Sequence, residues 1–133
     1  MNKIEFPYQT IRDARVDKKQ ILLRADYNVP QNPDGSIADD FRIAASVPTL
    51  KFLLARGAKI VIISHMGRPK SAADQQFSLK IVAENLAEKL GIPVKFVADS
   101  VGEKVRAATE NLAPGSVVLL ENLRFYPEET AND

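Results

Sequence analysis

The sequence has no cysteine, no tryptophan and a single histidine, His65, among 133 residues. Without cysteine there is no disulfide, no thiol nucleophile and no thiolate metal site. One histidine leaves no histidine-based cluster, so no resident metal is expected. An excess of charge of one sign is also missing: 18 Lys and Arg stand against 17 Asp and Glu, a formal net charge of +1. General binding to nucleic acid or to a membrane surface rests on surplus positive charge and is therefore not expected. Any anion site has to come from local clustering. Long apolar runs are lacking as well. The longest, such as residues 60–63 and 117–120, fall far short of the roughly 20 residues that span a bilayer. The opening MNKIEFPYQT has no apolar core after its charge, so it does not read as a secretory signal. A cytoplasmic, reducing setting is the expectation. Six glycines, at 35, 57, 67, 91, 102 and 115, form neither G-x-G-x-x-G nor G-x-x-x-x-G-K, which excludes the dinucleotide fingerprint and the Walker A loop.

What is present is an ordinary globular composition, 45% hydrophobic and 26% charged, of a length suited to one domain. Apolar runs of strand type alternate with stripes of helical period. Residues 21–23 are a first strand. Ile43, Val47, Leu50 and Leu54 follow at four, three and four residues, the spacing of an amphipathic helix. Asp39 or Asp40 is placed to cap it and Gly57 to end it. Pro48 inside the stripe predicts a kink or a late start, because proline removes a hydrogen bond and crowds the preceding turn. Residues 59–64 (KIVIIS) are a second strand. Leu79, Val82, Ala83, Leu86 and Leu90 form a second helix, with Ser78 before it and Gly91 after it. Residues 94–97 are a third strand. Ser100 and Glu103 have the spacing of a capping box ahead of a stripe of Val101, Val105, Ala108 and Leu112. Residues 117–121 are a fourth strand. This alternation predicts an α/β fold with a parallel sheet, and near-continuous apolar strands predict helices on both faces. Right-handed crossovers then gather the strand-to-helix loops on one edge, outside the carboxyl ends of the strands, where such folds bind ligands.

Three of those loops carry unusual chemistry. The first has Arg24, Asp26 and Asn28, the second runs Ser64-His65-Met66-Gly67-Arg68-Pro69-Lys70, and the last runs Glu121-Asn122-Leu123-Arg124-Phe125-Tyr126-Pro127. The loop 98–100 reads only as a helix cap. An isolated arginine in such a place ordinarily pairs with a surface carboxylate, and a lone histidine is ordinarily a hydrogen-bonded structural residue. Gly67 lets backbone approach a bound group, and Pro69 biases Arg68 toward extended backbone. Together they outline a small-anion site. Arg42 falls in the first turn of a helix, where the macrodipole disfavours a cation. Either a negative ligand is held there, or Asp39 and Asp40 neutralise it. Asp26 can orient an arginine or accept a ligand hydroxyl, with Asn28 beside it offering donor and acceptor.

The motifs RADYNVP (24–30), DDFRI (39–43), SHMGRPK (64–70), FSLK (77–80) and LENLRFYPEE (120–129) resemble, in order and spacing, the amino-terminal domain of the phosphoglycerate kinase family. The resemblance covers nearly the whole chain. It implies a Rossmann-like three-layer α/β/α domain over residues 1–133, the incomplete amino-terminal, 3-phosphoglycerate-binding part of a two-domain kinase. The implied reaction is reversible phosphoryl transfer between ATP and the carboxylate of 3-phosphoglycerate, giving ADP and 1,3-bisphosphoglycerate. Mg-ATP or Mg-ADP would be held by a carboxyl-terminal domain, with no cofactor-binding residue in this chain. Carried over by motif, Asp26 and Asn28 contact the glycerate, His65, Arg68 and Arg124 hold the phosphate, Tyr27, Met66 and Gly67 count among the substrate-binding residues, and Arg42 lies nearest the transferring group as the catalytic cation. Tyr27, Ala25 and Met66 replace the family's usual phenylalanine, valine and leucine, and none of these removes a charge. The resemblance further implies a monomeric full enzyme; this chain, with nothing in it to hold ATP, is expected to be inactive alone, and an uncovered sheet edge and apolar helix faces are expected to invite self-association. The alternative from another class is a stand-alone anion-binding or interaction module without catalysis.

Overall fold

Four short apolar segments lie side by side as a parallel sheet in the computed structural model, which describes residues 9–70 and 74–126. They are β1 (Gln20–Arg24), β2 (Lys59–Ile63), β3 (Lys95–Val97) and β4 (Val117–Leu120), arranged in the order β1-β2-β4-β3. The helices between them are α1 (Phe41–Leu54), α2 (Lys80–Leu90) and α3 (Glu103–Thr109). The chain steps across the sheet from β1 to β2 to β3, then returns to insert β4. Right-handed crossovers therefore put α1 and α2 on one face and α3 on the other. The α/β class, the parallel sheet and the covering of both faces are as expected from the alternation of segments.

Register explains how the two faces divide the core. Leu23, Ile62, Leu119 and Phe96 pair in one row across the sheet. Ile62 and Leu119 are fully buried, and this row packs with Ile43, Leu50, Leu53, Val82, Ala83 and Leu86 of α1 and α2. The adjacent row is Leu22, Val61, Val118 and Lys95. Because side chains alternate along a strand, this row faces α3, and Val61 and Val118 pack with Val105 and Ala108. One short helix covers only the middle of that face, so Leu22 on edge strand β1 is left 68% exposed.

Local details depart from the sequence reading in three places. Helix α1 begins at Phe41 and runs through Pro48, so the late start does not occur. Its first turn is supported by Asp39, whose Oδ1 accepts the Phe41 N–H at 2.8 Å. The Ser100–Glu103 capping box does not form. Gly102, at φ +92°, precedes α3 instead, and Val101 is exposed rather than part of the apolar stripe. Helix α2 takes its capping acceptor from outside its own sequence: the buried Glu121 carboxylate accepts the Leu79 N–H at 2.9 Å and the Ser78 hydroxyl at 2.7 Å. A negative group at a helix start is favoured by both the free N–H groups and the macrodipole. The Asp34-Gly35 turn is present, with Asp34 accepting from the Ser36 N–H and hydroxyl. Among the described residues no helix is long and apolar enough to cross a membrane.

The two rows give opposite expectations for one substitution. Leu119→Ala, at a site with no exposure, is expected to cost about 2–5 kcal/mol. Leu22→Ala is expected to stay within about 0.5 kcal/mol. Urea denaturation of the two variants checks the contrast, and equal losses would contradict the register.

Candidate functional site

The carboxyl ends of all four strands open on one edge, and the loops there are sewn together by buried polar groups. Ser64, directly after β2 and with no exposure, donates its hydroxyl to the Ala25 carbonyl at 2.7 Å and accepts the Tyr27 N–H at 3.0 Å. Its own carbonyl accepts the Leu123 N–H. One serine thus joins the loops after β1, β2 and β4. Asn122, also without exposure, accepts the Met66 N–H at 3.2 Å and the Arg124 N–H at 3.0 Å on Oδ1. Its Nδ2 donates to the Met66 and Phe77 carbonyls at 2.7 and 2.9 Å. The loop after β3 is tied in through Asp99, whose carbonyl accepts the Glu121 N–H and whose carboxylate accepts the Tyr126 hydroxyl. That hydroxyl, with the N–H groups of Ser100 and Val101, holds the Asp99 carboxyl below its ordinary range. The loop 98–100 therefore ties the rim together and does not cap a helix.

On this base the polar rim residues form a continuous chain of contacts. Arg124 donates Nη1 to the Gly67 carbonyl at 3.2 Å. The Gly67 N–H donates to Asn28 Oδ1 at 2.9 Å. The Asn28 carbonyl accepts Arg42 Nη1 at 2.6 Å, and the same nitrogen meets Asp26 Oδ1 at 3.2 Å. Asp26, Asn28, Arg42, Gly67 and Arg124 are thereby brought together, with His65 and Arg68 flanking the Met66-Gly67 pair in sequence. His65 is half-buried. Arg68 is exposed, and no hydrogen bond or ion pair among the described residues involves it. Gly67 has φ +61°, and a Cβ there would be driven into the Phe77 ring, so both the backbone angle and the space call for glycine.

Two candidates lie elsewhere than expected. Tyr27 and Met66 are 0% and 1% exposed, so their side chains belong to the core and only their backbone reaches the rim. The Tyr27 hydroxyl exchanges a hydrogen bond with Ser46 at 2.8 Å, and burial pushes the phenol above its usual pKa. Arg42 does sit in the first turn of α1, but neither Asp39 nor Asp40 neutralises it. Asp40 is engaged by Lys89 at 2.7 Å and by Asn85, which hold its carboxyl below the ordinary value, Lys89 having the larger effect. The partner of Arg42 is Asp26, from a different loop. Sequence reasoning gave no role to Ser64, Glu121 and Asn122. Their signal was a polar residue immediately after an apolar strand, where it is buried and must be hydrogen-bonded.

What the rim offers chemically is cationic forks and backbone near a glycine, a combination suited to phosphate and carboxylate. A shallow recess of about 610 Å³ between the 31–36 turn and the start of α2 is lined by none of the rim arginines. Among the described residues no group of three or more His, Cys, Asp or Glu is placed to hold a metal ion.

Comparison with known proteins identifies the family. The family model described as phosphoglycerate kinase matches residues 11–133. The chain is 48% identical over 125 residues to the phosphoglycerate kinase of Desulforudis audaxviator, covering 94% of this chain and 32% of that protein. It is 52% identical over 124 residues to that of Akkermansia muciniphila, covering 93% and 30%. The crystal structure of phosphoglycerate kinase from Pyrococcus horikoshii OT3 superposes with a TM-score of 0.82 at 37% identity, covering 90% of this chain and 29% of that one. The chain spans about a third of the length of the curated relatives it matches.

Two outcomes follow from the geometry. Gly67→Ala is expected to cost more than about 1 kcal/mol, because it adds both strain at positive φ and a clash. Part of that cost should disappear in a Phe77→Ala background, and thermal unfolding of the double-mutant set reads it. For Asp99, a folded-state pKa below the unfolded one gives stability at neutral pH that is lost as pH falls through the folded value. Tyr126→Phe should therefore raise the Asp99 titration midpoint in a carboxyl-carbon NMR titration and flatten the acid limb of stability. An unmoved midpoint would show the hydroxyl to be unimportant.

Proposed function

The chain belongs to the phosphoglycerate kinase family, and from that premise we propose that residues 1–133 are the amino-terminal part of a cytoplasmic glycolytic enzyme and carry its 3-phosphoglycerate site. The reaction is phosphoryl transfer between ATP and the carboxylate of 3-phosphoglycerate, giving ADP and 1,3-bisphosphoglycerate. The observation that carries this reading is the contact chain Arg124–Gly67–Asn28–Arg42–Asp26, which gathers two arginines from separate elements on the ligand-binding edge of the sheet.

In this reading His65, Arg68 and Arg124 receive the phosphate of 3-phosphoglycerate, with the Gly67 backbone close by. Asn28 and Asp26 face the glycerate. Asp26 has a second task, since its carboxylate fixes the Arg42 guanidinium. Arg42 then meets the transferring phosphoryl group as a placed cation. Such transfer is largely positioning and charge stabilisation, and a planar guanidinium suits it. The acceptor carboxylate is ionised at neutral pH, its pKa lying near about 4 or below, so no general base is required. The described residues offer neither a Gly-rich phosphate cradle nor a metal cluster. The Mg-nucleotide is assigned to a part of the enzyme outside this chain, and the chain on its own is not expected to form 1,3-bisphosphoglycerate from ATP.

Calorimetric titration of the chain with 3-phosphoglycerate tests the assignment. Arg68→Ala and Arg124→Ala should each weaken binding by roughly tenfold or more, as expected for loss of a charge-assisted hydrogen bond. Binding that is indifferent to both changes would place the site elsewhere.

A further inference from the structure

Asn122 cannot touch a ligand, because it has no exposure. Yet it is bonded to both loops that carry the phosphate-facing residues. An asparagine side chain has two N–H donors and an oxygen with two lone pairs, and all four are used: Met66 N–H, Arg124 N–H, Met66 carbonyl and Phe77 carbonyl. The Met66 backbone is held at both its N–H and its carbonyl. It lies between His65 and Gly67, and the Gly67 carbonyl in turn receives the Arg124 guanidinium. The same oxygen that holds Met66 also holds the Arg124 backbone. A turned amide would set NH₂ against two N–H groups and oxygen against two carbonyls, so the orientation is fixed by its surroundings. Glu121 stiffens the arrangement by accepting the Asn122 N–H at 2.8 Å while capping α2.

From this we infer that Asn122 is a positioning residue for the anion site: it locks the loop after β2 to the loop after β4, and so sets the spacing between the His65–Arg68 segment and Arg124. The inference rests on the 3-phosphoglycerate reading above and adds to it a residue that acts only through others. No other side-chain type of similar size reproduces the pattern. Aspartate matches the shape but only accepts when ionised, placing lone pairs against the Met66 and Phe77 carbonyls. Once protonated it regains one donor.

That difference supplies the test. The affinity of the chain for 3-phosphoglycerate is measured for wild type and Asn122→Asp from about pH 8 to about pH 5, with circular dichroism reporting the fold. Glu121, His65, Arg68 and Arg124 are the ionisable groups on the loops bonded to Asn122, Asp26 and Arg42 are those on the rest of the rim, and the ligand phosphate also titrates. The ratio of the two affinities cancels what both proteins share. At about pH 8 the variant should bind roughly tenfold or more weakly, an unmade pair of buried hydrogen bonds being at stake. Toward about pH 5 the gap should narrow to about threefold or less, because burial and the facing carbonyls favour the protonated carboxyl. A folded variant with wild-type affinity at about pH 8, or a deficit that does not change with pH, overturns the inference. If Asn122→Asp does not fold, amide exchange in the wild-type chain decides. Saturating ligand should slow exchange at Met66 and Arg124 by roughly tenfold, as expected when binding selects the locked arrangement, and unchanged rates overturn the inference. A wild-type chain that does not bind 3-phosphoglycerate removes the functional reading itself and this inference with it.

Discussion

Buried polar atoms at the ends of the strands have to find partners inside the protein, and this requirement shapes the site more than the rim arginines do. An unmade hydrogen bond in a water-free interior costs about 1–3 kcal/mol, so Ser64, Glu121 and Asn122 hold their neighbours to narrow geometry. Each sits at the carboxyl end of β2 or β4, the two central strands. Each reaches across to a loop from another strand. The sheet thus sets the distance between loops, and these three side chains set their height and orientation. The arginines come last and inherit their positions.

Electrostatics follow from that scaffold. The first turn of α1 carries Arg42 without an acidic residue of its own, an arrangement the macrodipole opposes. Its cost is offset from outside by Asp26, while Asp40, the residue best placed by sequence to help, turns to Lys89 on α2. Two ion pairs that look interchangeable on paper do different jobs. One fastens the start of α1 to the end of α2, and the other presents a guanidinium at the rim.

Most of the fold was legible because it rests on local patterns. The buried runs of β2 and β4, the Leu79–Leu90 stripe of α2 and the Asp34-Gly35 turn are all written in neighbouring residues. The elements read wrongly have one local and one distant cause. Ser100 and Glu103 have capping spacing, but Gly102 at positive φ redirects the chain between them. The acceptor at the start of α2 is Glu121, 42 residues away from Leu79, which no local window can contain. Tyr27 and Met66 stand among site residues in sequence yet turn inward, since alternating residues after a strand end face opposite ways. Of the site, charged types and their loops were visible in advance. The contacts joining them, residues 28, 67 and 124 above all, needed tertiary structure. The opening residues 1–8 and the motif tail 127–129 lie outside the described residues.

The rim arginines differ in how much freedom each has left. Arg124 and Arg42 already lean on backbone carbonyls, so little rotamer entropy remains for a ligand to remove. Arg68 is exposed and reaches into solvent. A long, unanchored cation of this kind acts on the approach of an anion, through a field that salt screens within about 10 Å at 0.1 M. In the proposed 3-phosphoglycerate site, the fastened pair is the one assigned to hold the anion once it has arrived. On that reading, ionic strength should act mainly on the rate of arrival through Arg68, and far less on the rate of escape from the fastened arginines.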